Sequence, residues 1–310
     1  MKRKAPAKAP ATRGGYTVIE RPLLSERTSM GIGGEAIAEI RVHDVNALEA
    51  VPALAKELGG EIAVIGRGSN LLVKEGQLPL VLVRLDTDRQ PYVMMESDRV
   101  QLRVNADIPL PALLHRAAAL GFSGLEGLSG IPGNAGGAMA MNAGSYGVSM
   151  ADVVRSAEIF TPGLGLVELD AEEFVFSYRS CGLRKKVSWF LIAGMTLELA
   201  RGETQAIKEH MAETMARKKS TQPINARSAG CVFKNPEGHS AGKLLDEAGM
   251  KGKSLDGKEK GMRFSSLHAN FLVNEGQGSF EQAKTLIAMA REAVLSRFGI
   301  RLELEVQIWP

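Results

Sequence analysis

The chain has 310 residues and 45% hydrophobic side chains, enough for two or three domains with a sizeable core. Its formal charge of +3 is set by residues 1–15, which hold five of the 38 basic side chains and no acid. The rest carries 33 basic against 35 acidic groups, so a general nucleic-acid-binding body is excluded.

The opening stretch "MKRKAPAKAPATRGG" is Lys, Ala and Pro without an apolar face, and residues 1–20 are expected to form a disordered basic tail. It lacks the apolar segment of a secretory signal, and no later run is long enough to span a bilayer. A cytoplasmic protein is expected. The two cysteines, Cys181 and Cys231, show no metal-ligand spacing, and reduced thiols are expected rather than a disulfide.

In chain order, a Gly-rich turn leads into a strand near Ala36–Val42, and Asp44 is placed to cap a helix reaching Leu58, stopped by Gly59 and Gly60. "EIAVIGRGSNLLV" is a strand running into Gly66, Arg67, Gly68, Ser69 and Asn70, followed by the strand "LPLVLVRL". "RVQLRVNAD" is a strand and "IPLPALLHRAAALG" an amphipathic helix ended by Gly121. Strands follow near 153–160 and 189–199. A helix from Glu203 to Lys218 should turn Ile207, Met211 and Met215 to one side. A short helix is capped by Ser240. A longer one, Ser279 to Phe298, starts with a Ser279/Gln282 capping-box pattern and ends at Gly299. The last strand, "IRLELEVQIW", should put Leu302, Leu304, Val306 and Ile308 on one face and Glu303, Glu305 and Gln307 on the other.

Two glycine-rich loops follow predicted strands. Free backbone N–H groups in Gly66–Asn70 can cradle a pyrophosphate, although such a turn is more often a plain loop. The second, "GLEGLSGIPGNAGGAMAMNAGSYG" over 124–147, does not have the Gly-x-Gly-x-x-Gly spacing of a dinucleotide fingerprint. Together they favour a large phosphate-bearing cofactor. "GHSAGKLL" lacks the spacing and the Ser/Thr of a P-loop. Arg179 lies in the stretch "FSYRSCGLRKK" with Arg184, Lys185 and Lys186, which is either a solvated cationic face or an arginine aimed at an anionic substrate. Cys231, His268 and Asn270 run in the order of a cysteine hydrolase, but no nucleophile signature surrounds Cys231.

Eight segments in register, "TSMGIGG", "GRGSN", the 124–147 loop, "SYRSC", "SAGCVFKNP", "AGKLLDEAG", "HANFLVN" and "LELEV", resemble the UDP-N-acetylenolpyruvoylglucosamine reductase (MurB) family of flavoproteins from Thr28 to Ile308. The short interval between "SYRSC" and "SAGC" resembles the shorter, type II form. The resemblance implies an α+β fold with an FAD-binding module of the vanillyl-alcohol oxidase type. Its two subdomains would cover 21–86, joined by the strand 305–310, and 87–217, with a substrate-binding domain over 218–304. It implies FAD as cofactor, NADPH as reductant, the enolpyruvyl ether of UDP-N-acetylglucosamine as substrate, a role in peptidoglycan synthesis, no metal, no nucleic-acid or membrane partner, and a monomer.

By the same resemblance Arg179, Cys231 and Glu305 are the catalytic residues. The cofactor is held by Gly66, Arg67, Gly68, Ser69, Asn70, Gly127, Ile131, Pro132, Gly133, Gly136, Gly137, Asn142 and Gly144. The substrate is held by Tyr178, Arg217, Lys218, Lys234, Asn235 and Asn270. Glu305 must be protonated, or pair with Arg179, to serve a reaction that develops negative charge. Cys231 stands at the proton donor, where the most familiar pattern has serine. A free thiol with pKa near 8.5 remains mostly protonated at neutral pH, and its thiolate fraction would add sensitivity to oxidation. Two competing readings remain open: another FAD oxidoreductase of this type, and a non-catalytic nucleotide-sugar binding protein.

Overall fold

A computed structural model describes residues 11–87, 91–96, 99–255 and 260–310. Three sheets organise the chain. The first has five strands in the order Ala11–Arg13, Tyr16–Glu20, Glu35–Val42, Gln77–Leu85, Glu61–Val64, antiparallel at its first two junctions and parallel at its last two. Residues 11–20, expected to belong to a disordered tail, instead form a hairpin. Gly14 and Gly15 turn it at positive φ, and Tyr16–Glu20 finds a full-length partner in Glu35–Val42. Residues 1–10 of that expected tail lie outside the described residues.

The helix expected from Asp44 to Leu58 is split. Asp44 accepts a bond from the Asn46 N–H and opens a 3-10 turn, Val45–Ala50, before the α-helix Val51–Leu58. Pro52 has no N–H to give to an i−4 carbonyl, so the regular helix can begin only there. Gly59 ends it in the left-handed conformation at φ 77°.

The second sheet is antiparallel: Gly165–Asp170, Val154–Thr161, Leu191–Arg201, Arg99–Asn105, Tyr92–Glu96, with Phe122–Ser123 beside the end of Leu191–Arg201. It shares one core with the first sheet. Ile40, Val42, Val81 and Val83 pack in the same cluster as Leu102, Leu113, Leu197 and Phe160. The helix Thr204–Thr221 turns Ile207, Met211, Thr214 and Lys218 inward, with Met215 only partly buried. A lysine thus occupies the last buried position of that stripe, which the apolar pattern did not foretell.

The third sheet is small: Ser228–Cys231, Phe271–Asn274, Met262–Phe264. Helices Ala241–Glu247 and Phe280–Phe298 pack on it around Phe233, Phe264, Leu272 and Leu286. The expected capping box at Ser279 is half made. Ser279 accepts the Gln282 N–H, while the Gln282 side chain turns away to accept from the Met262 N–H. This core also contains Met30, Ile32 and Leu72 from the first unit and Leu302 and Val306 from the closing segment.

That closing segment corrects the expected long strand. Only Gln307–Trp309 is a strand, parallel to Leu71–Val73. Leu302 and Val306 are buried, but Ile308 is exposed, so the alternation stops before the end. The cause is a change of partner. Lys234 N–H donates to the Glu303 carbonyl, and Glu305 and Val306 N–H both donate to the Val232 carbonyl. Gln307 N–H then donates to the Asn70 carbonyl. Residues 303–306 belong to the third unit and 307–309 to the first. Leu302→Ala, which empties a site in the third core, is expected to cost about 2–5 kcal/mol in chemical denaturation; a loss below 1 kcal/mol would place Leu302 outside that core.

Candidate active site

Three segments far apart in sequence meet at the junction of the sheets. The first is the hairpin Phe174–Ser177/Ser180–Leu183, whose two-residue loop is Tyr178–Arg179. Arg179 has φ 59°, in the left-handed region that a glycine usually fills at such a loop position. For a side chain with a Cβ this costs about 1–2 kcal/mol. Backbone strain of this kind gathers where a side chain must be aimed, and Asn142 (φ 39°) and Tyr146 (φ 48°) share it nearby. The Asn142 side chain donates to the Ser177 carbonyl and accepts from the Ala151 N–H, so it holds the hairpin tip rather than reaching for a cofactor as expected.

The second segment is Ser228–Cys231. Its register against Phe271–Asn274 slips by one residue between Ser228 and Cys231, with Gly230 at φ 78°. This is a bulge that re-aims the following side chain, and it explains the glycine before the cysteine. A Cβ at Gly230 would meet nothing within 4 Å, so dihedral rather than space demands glycine. The third segment is the closing one, which brings Glu305. Its backbone is held by the Val232 carbonyl on one side and by Asn70, whose side-chain amide donates to the Glu305 carbonyl at 3.1 Å, on the other. Asn70, expected at the cofactor, thereby secures Glu305.

Arg179 Nε donates to Glu305 Oε1 at 2.8 Å. Burial lifts the Glu305 carboxyl above the usual carboxylate range, with Arg179 and then Lys234 opposing. The Cys231 thiol is pushed up to about 12, first by burial and then by the Glu305 charge, while Arg179, a hydrogen bond from Asn270 and Lys218 pull the other way. The value near 8.5 expected of a free thiol is therefore wrong for this position, and so is the expected oxidation-prone thiolate. Lys218 falls to about 8, because its burial and the Arg179 charge both disfavour the ammonium.

The substrate residues expected from sequence divide. Arg217 and Lys218 both place their cations 5.5 Å from the ring of Tyr146, and Arg179 lies 5.0 Å from the ring of Tyr178. Lys234 reaches toward Glu303 at 3.8 Å and acts on Glu305. Asn235 Oδ1 accepts the Ala241 N–H at the start of the next helix. Asn270 is 2% exposed, with its amide spent on the Phe233 backbone, so the direct substrate contact expected of it is replaced by an inward-facing one. His268 does not join Cys231. Its Nδ1 accepts the Asn270 N–H, and the ring lines a separate polar cavity with Ser240, Lys243, Asp246 and Lys251, which removes the basis of a cysteine hydrolase.

The glycine loops face each other. A Cβ at Gly133 would lie 2.9 Å from Ser69 Oγ, and one at Gly66 would have only Asn134 Nδ2 within 4 Å, at 3.9 Å. Gly68, at φ 61°, packs against the Arg27 carbonyl, and Gly127 against the Ser145 carbonyl, too close for any Cβ. Gly136 packs on Ala106 and Gly144 on Ser149, and both are structural. Gly137 and Pro132 are exposed, Arg67 is exposed, and Ile131 is partly buried. Ser129 Oγ and Asn134 Oδ1 are buried without a hydrogen-bond partner. Buried orphans of this sort need a partner from outside the chain. Together with the open space at Gly66 and Gly137, they fit a polar cofactor lying between Gly66–Asn70 and the loop 129–137. The sequence reading passed over Ser129, Asn134 and Tyr146, although all three sit as polar side chains inside the glycine-rich segment it singled out.

A family model described as FAD binding domain matches residues 36–169, and one for the UDP-N-acetylenolpyruvoylglucosamine reductase C-terminal domain matches residues 222–309. The reductase of Nitratidesulfovibrio vulgaris is 48% identical over 293 residues, covering 94% of this chain and 98% of that protein. The chain belongs to the UDP-N-acetylenolpyruvoylglucosamine reductase family. The reductase of Oleidesulfovibrio alaskensis is 46% identical, covering 94% of this chain and 98% of that protein. A crystal structure of the family, the Thermus caldophilus MurB, superposes with a TM-score of 0.78 at 35% identity, covering 95% of this chain and all of that one. Membership favours the family's reaction over the two competing readings, and the α+β architecture agrees with the expected fold.

Two outcomes test the site's electrostatics. The thiols of Cys231 and Cys181, the latter raised to about 11 by burial, should both resist iodoacetamide in the native protein from pH 7 to 9. Rapid alkylation at pH 8 would contradict this. Lys218 loses its proton as pH rises through about 8. Where its charge binds substrate, kcat/KM should fall above that pH, and Lys218→Arg should move the fall to higher pH.

Proposed function

We propose that this chain reduces the enolpyruvyl ether of UDP-N-acetylglucosamine to UDP-N-acetylmuramate, a step of peptidoglycan synthesis, with FAD as cofactor and NADPH as reductant. The observation that carries the reading is the meeting of Arg179, Cys231 and Glu305, from three distant segments, in one partly buried cluster. Bound FAD supplies the hydride it receives from NADPH. Residues of the Gly66–Asn70 and 129–137 loops would hold it, with Ser129 and Asn134 gaining the partners they lack within the chain.

The reaction adds one hydride and one proton across a C=C bond next to a carboxylate, and negative charge develops on that carboxylate. Arg179 answers this charge. Glu305 takes its Nε, which leaves the terminal N–H edge of the guanidinium for the substrate carboxylate. Pairing is thus the role that the geometry supports for Glu305, with burial resisting a free anion there. Cys231 delivers the proton to the carbon beside the carboxylate. Its thiol stays protonated throughout the working range, so the donor is loaded in every molecule. Arg179, Asn270 and Lys218 stabilise the thiolate left behind.

Lys218 and Arg217, gathered on Tyr146, are assigned to the substrate's anionic groups, with Tyr178 and Lys234 at the edge of the same site. We place the two FAD-binding subdomains at 21–86 and 87–217 and the substrate-binding domain at 218–304. The closing segment from 305 returns to the first. A monomer in the cytoplasm belongs to the same reading, and the charge balance of the body disfavours a nucleic-acid partner.

The purified holoprotein should be yellow, bleach with NADPH, and recover its colour without oxygen only when the enolpyruvyl substrate is added. A protein unable to take up FAD would end this reading. Cys231→Ala should leave bleaching by NADPH intact and slow recovery by roughly 10²–10⁴-fold, the usual worth of a general acid. Stopped-flow absorbance measures both steps.

A further inference from the structure

Between the bulge at Gly230 and the closing segment, one buried residue engages the two residues that follow the strand bearing Cys231. Asn270 Oδ1 accepts the Phe233 N–H at 2.9 Å and its Nδ2 donates to the Phe233 carbonyl at 2.8 Å, a two-bond clamp on both backbone polar groups of one residue. Its own carbonyl accepts the Val232 N–H at 2.8 Å. Its amide also acts on the Cys231 thiol, where it favours the thiolate. The Asn270 N–H in turn donates to His268 Nδ1 at 3.2 Å, which fixes the clamp from behind.

This bonding exceeds what holding the strand requires. The ladder between Ser228–Cys231 and Phe271–Asn274 slips at the bulge and ends at Cys231, and beyond it regular cross-strand support gives way to an isolated bridge between Phe233 and Leu304. Asn270 restores that support where the acid must be aimed, and the Phe233 ring beyond it is fully buried. Val232 also carries the carbonyl that accepts from both Glu305 and Val306. The same clamp therefore fixes the strand on which Cys231 and the backbone of Glu305 both depend.

We propose that Asn270 is a positioning residue for proton delivery, holding the Cys231 thiol at a fixed point beside the Arg179–Glu305 pair through its bonds to Val232 and Phe233. It touches neither substrate nor cofactor. The inference rests on the assignment of Cys231 as the proton donor, and it differs from the direct substrate contact expected of Asn270 from sequence.

A double-mutant cycle on the FAD-loaded protein tests it, with Asn270→Leu, Cys231→Ala and the pair together. Stopped-flow absorbance follows flavin reduction by NADPH and flavin reoxidation by the enolpyruvyl substrate, with KM and the thermal midpoint measured beside them. Asn270→Leu should slow reoxidation by roughly tenfold or more, leave reduction by NADPH and KM within about twofold, and add nothing to the defect of Cys231→Ala, because groups that act through one another are not additive. A merely structural role would slow both half-reactions, or would multiply with Cys231→Ala, and either result overturns the inference. Should Asn270→Leu fail to fold, Asn270→Asp carries the cycle, since it still accepts the Phe233 N–H while losing the bond donated to the Phe233 carbonyl. A Cys231→Ala protein with normal reoxidation would overturn the donor assignment itself. A slow Cys231→Ala with multiplying effects would overturn only the role of Asn270.

Discussion

The geometry of the site depends on how the backbone of Glu305 is held. Its N–H is taken by the Val232 carbonyl and its C=O by the Asn70 side chain, so one residue ties the segment after Ser228–Cys231 to the loop after Glu61–Val64. These bonds set where the carboxylate emerges, and the carboxylate sets the direction of Arg179. A single buried hydrogen bond contributes only about 0.5–1.5 kcal/mol net. Here its worth lies in fixing one carboxylate between units that already share a core through Met30, Ile32 and Leu72. The slip of the closing segment from Val232 to Asn70 removes the regular strand that its alternation suggests, and this irregularity is what brings Glu305 to the pair.

The electrostatics follow from that placement. Arg179 and Glu305 form a partly buried ion pair, and burying such charges is seldom a stabilising choice in itself. The strained hairpin loop adds to the cost. Nearby, Lys218 closes an otherwise apolar helical stripe. These departures from good folding practice gather in one place, where burial shifts the acidities of Glu305 and Cys231 upward against the pull of Arg179 and shifts that of Lys218 downward with it. The surrounding cores of Leu102, Leu113, Phe160, Phe264 and Leu286 supply the stability against which these costs are set.

Much of this was legible in the sequence, for identifiable reasons. Gly59, Gly299, Ser240 and Ser279 mark helix ends through local chemistry, and the structure keeps them all. The eight motifs in register identified the family, and with it the three residues that meet. What could not be read locally depends on distant partners. Pro52 splits a helix whose apolar spacing looked continuous. Residues 11–20 order because Glu35–Val42 lies beside them. Asn70, Asn142 and Asn270 were expected at the ligands from the resemblance, and each also uses its amide on backbone 35 to 235 residues away, a bond that no local pattern announces. The thiol acidity was misjudged for the same reason, since a free-thiol value says nothing about burial or a neighbouring carboxylate.

The closing segment also orders events during synthesis. Asn70 and Arg179 are made 235 and 126 residues before Glu305, the last of the site residues to leave the ribosome. The first two sheets, whose shared core uses no residue after Met211, can be complete while the site still lacks its carboxylate. The chain thus passes through a stage in which cofactor loops can exist without a finished catalytic pair. Docking of Leu302 and Val306 in the third core then acts as the final checkpoint of assembly, because the contacts that bury these two side chains also carry Glu305 into place.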